Sequence, residues 1–173
     1  MKNKPVVLCG IFAAVITVCS WITIPFTVPF TMQTFGIFCA LLLLGGKLGT
    51  TAIAVYILVG TAGFPVFAGF HGGICVIFSP LGGYIIGFAA MGLTYMLVTN
   101  VFGEKRAARI GGIAAGLCVC YFLGTVWYML VTGTDDVVSA LMVCVVPFVG
   151  ADVLKAVLAF VVSKKISVHR ICR

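Results

Sequence analysis

Six apolar runs, each cut off by proline, glycine or charge, fill most of the chain: residues 5–24, 32–46, 48–63, 80–102, 110–132 and 140–163. In hydrocarbon every backbone N–H and C=O must find a partner within the protein, so runs of this kind can only be helices crossing a bilayer. The second and third are the shortest and meet at "GGKLG", Gly45 to Gly49, which leaves little more than a tight turn and predicts a helical hairpin. Composition agrees, with 62% of residues hydrophobic and 9% charged, against about 25% charged in soluble domains. The 173 residues hold six spans and their loops, so the expected fold is one all-α membrane domain over 1–173 with no separate soluble domain. "MKNKPVVLCGIFAAVITVCSW" has the basic start of a signal peptide but runs into "ITIPF" without a small-residue cleavage site, and is read as a retained first span.

The formal net charge is +7, which in a soluble chain would point to nucleic acid or another polyanion; here topology explains it, and no nucleic-acid partner is expected. Lys2 and Lys4 precede the first span, Lys47 lies in the hairpin turn, Lys105, Arg106 and Arg109 separate the fourth and fifth spans, and Lys164, Lys165, Arg170 and Arg173 follow the sixth. The intervening loops from Thr23, Gly63 and Thr132 contain no Lys or Arg. The positive-inside rule therefore predicts six transmembrane helices in the cell membrane with both termini cytoplasmic.

Two charges escape that scheme. Asp152 and Lys155, in "FVGADVLKAVLAFVV", are three residues apart and share one helix face near or below mid-span. Each is unfavourable there by about 2.5–3.5 kcal/mol on insertion scales, so something must compensate. Either the two neutralise one another and fix helix packing, or they line a polar cavity and meet a ligand with both donors and acceptors. A proton-coupled carrier would have to relay through Asp152 alone. The uncharged outer loops "PFTVPFTMQTFG" and "GFPVFAGFHGGICVIFSPLGGYIIGF" are rich in Pro, Gly and Phe, as the walls of a small-molecule pocket would be. Gln33 and His71 are their polar tips, with His71 read as an ordinary surface residue.

Catalytic chemistry lacks its residues. In "LLLLGGKLGTT" Lys47 is followed by Leu48, and Leu41 stands where a phosphate loop needs its first glycine. There is no H-E-x-x-H, no G-x-S-x-G and no intramembrane pair of acids, so an enzyme is not expected. The eight cysteines form no C-x-x-C pair and are read as packing residues, without metal or cofactor. Gly10-x-x-x-Ala14, Gly83-x-x-x-Gly87 and Gly112-x-x-x-Gly116 permit close helix contact, and Trp21 and Trp127 are placed in the outer aromatic belt.

Taken in order, "PFTVPFTMQTFG", "LLLLGGKLG", "GTAGFPVFAGFHGG", "SPLGGYIIGF" and "GADVLKAVLA" resemble the BioY family, the biotin-specific substrate-binding (S) components of energy-coupling-factor transporters. That family more often opens the fourth motif with Gly-Pro-Thr; this chain has Ser79-Pro80-Leu81 before Gly82-Gly83-Tyr84. The resemblance implies the S-component fold, with biotin captured from the outer face, and energy from a transmembrane coupling (T) subunit and two cytoplasmic ABC ATPases. It implies that Asp152 and Lys155 bind biotin and that Gly10 and Ala14 dock the coupling subunit. Tyr84, Gln33, Phe67 and Phe70 are expected around the pocket from the matched loops. An S component for another vitamin, or a self-sufficient carrier using the Asp152/Lys155 pair, is the alternative.

Overall fold

The computed structural model describes residues 4–25 and 28–166; Lys2, Arg170, Arg173 and Cys172 lie outside the described residues. The elements are α1 (Lys4–Trp21), a two-residue pair of antiparallel strands β1 (Thr23–Ile24) and β2 (Phe30–Thr31), α2 (Gln33–Thr61), α3 (Gly82–Phe102), α4 (Arg106–Thr132), α5 (Val137–Cys144) and α6 (Val146–Lys165). Among the described residues, five helical stretches, with α5 and α6 taken together, are long and apolar enough to cross a membrane. Large aliphatic side chains such as Val6, Leu130 and Val101 lie exposed on their outer faces, where a bilayer rather than water is the natural solvent.

α2 is continuous by assignment but not in direction. Gly45 has φ 81° and ψ 176°, a conformation open essentially to glycine alone, and the helix folds back there. A straight helix would hold residues 33 and 56 about 34 Å apart, whereas Gln33 Nε2 donates to Tyr56 Oη at 2.9 Å. A Cβ on Gly49 would stand 2.8 Å from the Leu41 Cα, so the returning arm passes directly against the first. The predicted hairpin at "GGKLG" is thus formed, with arms 33–44 and 46–61. Near the break, in the last turn of the first arm, helical partners for carbonyls run out, and Arg109 of α4 donates to the Leu42 carbonyl. Sequence placed Arg109 only as a loop cation; it is also a tie between helices.

The expected sixth span over 140–163 is corrected in the same way. Its helical path starts at Val137, capped by the Asp136 carboxylate on the Val138 N–H, and breaks at Val145 (φ −125°, ψ −56°) before α6 resumes. Pro147 is the physical reason: it has no N–H for the preceding turn and crowds the carbonyl four residues back. The Cys144 carbonyl at the end of α5 accepts instead from Tyr84 Oη at 2.7 Å.

Small residues set the closest helix pair. Gly83 faces Trp127, Gly87 faces Cys120, Gly116 faces Met91 and Gly112 faces Tyr95, a regular antiparallel seam of α3 on α4 that confirms the packing reading of those two motifs. The core gathers Ile16, Ile37, Phe38, Leu41, Ile53 and Met91, all fully buried.

Apart from Lys155, the described Lys and Arg residues gather at one end of this bundle. Cys9 near the start of α1 reaches the Leu48 carbonyl in the α2 turn, Gly46 of that turn packs on Met96 of α3, Arg109 ties α4 to the same turn, and Arg106 and Lys164 border one groove. At the other end the 62–81 loop is pinned over the bundle. Trp21 Nε1 donates to the Pro65 carbonyl at 2.9 Å, Ser20 Oγ to Val66, and Trp127 Nε1 to Ser79 at 3.0 Å. The two tryptophans, expected only as belt residues, are therefore loop anchors.

Candidate ligand-binding site

Under those loops, at the end away from the cations, lies a cavity walled by Phe67, Leu81, Ile85, Phe88, Leu117 and Phe148. Such a wall of aromatic and aliphatic side chains with a few convergent polar groups is the usual form of a small-molecule site. The polar groups converge from three elements. α6 contributes Asp152 and Lys155, the β2–α2 junction Thr31, Gln33 and Thr34, and α4 Tyr121.

Asp152 and Lys155 are 2% and 4% exposed, one turn apart, and form a 2.8 Å ion pair through Asp152 Oδ1. Thr34 Oγ1 donates to the same oxygen at 2.7 Å, and Tyr121 Oη donates to Oδ2 at 2.6 Å. Lys155 Nζ also donates to the Thr31 carbonyl at 2.8 Å and to Thr34 Oγ1 at 3.1 Å, and lies 4.2 Å from the centre of the Phe30 ring. The three N–H groups of the ammonium therefore all have acceptors. Asp152 Oδ2, with one partner, keeps acceptor capacity at the cavity wall. Burial of the pair is compensated by this network, and each member is held in a defined rotamer by the others.

Of the residues singled out by sequence, Asp152, Lys155, Gln33, Phe67 and Tyr84 all line this cavity. Gln33 is fixed by its bond to Tyr56. Phe67 stands edge-on to Tyr56 at 5.6 Å, over Gly60, where a Cβ would come within 2.2 Å of its ring. Tyr84 presents its ring to the cavity while its hydroxyl is held by Cys144. Phe70 is the correction. At 61% exposed it lies outside the cavity, because a positive φ of 60° turns it outward onto Trp21, with ring centres 4.9 Å apart. His71 is exposed and contributes a backbone carbonyl to the Phe67 N–H.

Thr31, Thr34 and Tyr121 were not named from the sequence. Thr34 adjoins Gln33 in a matched loop, and a polar residue beside the first arm of the hairpin was the available signal. Tyr121 had none, since a tyrosine in an apolar span reads equally as packing. Gly10 and Ala14 lie together on the exposed face of α1, with nothing within 4 Å of a Cβ built on Gly10.

Comparison with known proteins adds a family. A sequence profile described as the BioY family matches residues 1–171. The chain is 39% identical to the biotin transporter BioY of Thermotoga maritima, over 96% of this chain and 99% of that protein. It is 36% identical to a probable biotin transporter BioY of Pyrococcus horikoshii, over 96% and 98% of the two. In fold it is similar to the crystal structure of the S-component for biotin from an ECF-type ABC transporter, with a TM-score of 0.84 at 24% identity, over 95% of this chain and 90% of that one. From the match over nearly its whole length, and from relatives this similar end to end, this multi-pass membrane protein belongs to the BioY family.

Proposed function

We propose that this protein is the biotin-binding S component of an energy-coupling-factor transporter, capturing biotin in the cavity beneath residues 28–31 and the 62–81 loop. The observation that carries the reading is the buried Asp152–Lys155–Thr34–Tyr121 network in the wall of an aromatic cavity. Biotin combines two ureido N–H donors, a ureido carbonyl, an apolar bicycle and a carboxylate tail. Asp152 Oδ2 accepts from a ureido N–H. Lys155 meets a ligand oxygen by exchanging one of its present acceptors, Thr34 Oγ1 being the longest of the three. Phe67, Tyr84 and Phe148 enclose the bicycle, and Gln33 closes one side.

In this reading the hairpin at Gly45 divides the helical path into six spans, and the cations at one end support cytoplasmic termini by the positive-inside rule. The cavity then opens to the outer side. The protein supplies recognition and no catalysis. A transmembrane coupling subunit docks on the Gly10/Ala14 face of α1, where small residues let a partner helix approach closely, and two cytoplasmic ATPases drive delivery.

Calorimetric titration of the purified protein with biotin, beside riboflavin and thiamine, tests the assignment. Binding selective for biotin and lost in Lys155→Met is the expected result. Selective binding of another vitamin would keep the S-component role and replace the ligand.

A further inference from the structure

A second groove, which abuts the cavity at Leu117 and Asp152, runs between α4 and α6 on the cation-bearing half of the molecule. Ile110, Ile113 and Leu117 of α4 and Val157, Phe160 and Val161 of α6 form its walls, and Arg106 and Lys164 stand together at its open end. We propose that this groove is a binding site for an anionic phospholipid of the inner leaflet, with one acyl chain along the groove and the phosphate between Arg106 and Lys164.

Three features point to that occupant. First, length: α4 from Arg106 to Leu117 and α6 from Val153 to Lys164 each span eleven residues of rise, about 16 Å, close to one leaflet's share of a hydrocarbon core about 30 Å thick. Second, charge: the groove is apolar along its walls and cationic at one end only, the arrangement that suits a chain capped by a phosphate and not an apolar partner helix. Basic pockets between spans on the cytoplasmic side are recognised binding places for anionic headgroups. Third, the inner end: the groove reaches Leu117 and Asp152, which it shares with the cavity, and Asp152 is held there by Thr34, Lys155 and Tyr121. Beside it the groove is lined by Leu117, Val153 and Ala156, so a chain end there meets aliphatic side chains. Ile110, Val153, Val157 and Val161 are exposed along the groove, so it is open sideways to the bilayer.

The test is lipid retention by the intact, purified protein in nanodiscs containing phosphatidylglycerol and phosphatidylcholine, read by native mass spectrometry after mild delipidation. The wild type is expected to retain phosphatidylglycerol preferentially. Arg106→Gln with Lys164→Gln should lower that retention at least several-fold while leaving phosphatidylcholine unchanged. Ala114→Phe with Val157→Phe, which fill the groove and leave both cations, should lower it as well. Unchanged retention in the charge variant would overturn the proposal, because the phosphate would not lie there. Unchanged retention in the filled variant would overturn it too, reducing the contact to a headgroup on surface charge. A coupling subunit that shields a cysteine placed at Val157 in vesicles lacking anionic lipid would assign the groove to a protein helix instead.

Discussion

Asp152→Asn separates a ligand-binding pair from a structural one. The carboxylate accepts from Lys155, Thr34 and Tyr121, and Asn leaves one acceptor oxygen where there were two, with an NH2 facing groups that are themselves donors. Lys155 stays 4% exposed and loses its counter-ion, a change that costs about 3–5 kcal/mol when a buried pair is broken from one side. Thermal unfolding in detergent should register that loss as a large fall in midpoint. Biotin affinity should fall by about 2–5 kcal/mol, roughly thirty-fold to several-thousand-fold, because Oδ2 no longer offers a charged acceptor and the loss leaves a donor unmatched. The double variant Asp152→Asn/Lys155→Met decides the role. Removing both charges relieves the uncompensated ammonium, so much of the stability returns, yet affinity stays low if the pair binds the ligand. Recovery of stability and affinity together would refute the reasoning and leave the pair as a packing device. Asp152→Asn binding biotin within a few-fold of wild type would refute it directly.

Arg109→Leu leaves the Leu42 carbonyl without its side-chain donor; destabilisation of about 1–3 kcal/mol is expected in a melting experiment, with biotin affinity of the folded fraction unchanged. Gly60→Ala drives a methyl into the Phe67 ring, so the cavity wall must shift and calorimetry should show biotin binding weakened by tenfold or more, while Gly10→Ala, at a helical position with nothing within 4 Å of its Cβ, should leave binding unchanged. Gly10→Leu with Ala14→Leu alters an exposed face far from the cavity, so biotin affinity should hold while co-purification of the coupling subunit falls; assembly at wild-type levels would remove that face from the docking reading.

Much of the fold was legible because membrane insertion leaves few solutions: apolar runs fixed the helices, and glycine in "GGKLG" fixed the reversal. The break at Val145 was less visible. Pro147 lies inside an apolar run, and a proline in a span is as often a tolerated kink as an end. Asp152 and Lys155 stood out because charge is rare in such a run. Their partners did not, since Thr34 and Tyr121 come from elements more than thirty residues away in the chain and their types are common in loops and spans alike. Phe70 failed for a local reason. Neighbouring aromatics in one loop, Phe67 and Phe70, part company, one buried and one exposed, across two consecutive positive φ angles at Gly69 and Phe70, which no spacing rule conveys.

Strand β2 is held partly by its two-residue pairing with β1 and partly by Lys155, which bonds the Thr31 carbonyl and lies against Phe30, itself stacked on Phe148 with ring centres 6.1 Å apart. One ammonium thus tethers a covering segment and faces the compartment it covers. Arrival of a ligand oxygen and release of that tether draw on the same three hydrogens. In the proposed binding mode the residence time of a captured molecule is set by a competition at one nitrogen atom, and on- and off-rates will move together when Phe30, whose ring lies against that nitrogen, is altered, even where the equilibrium between them does not.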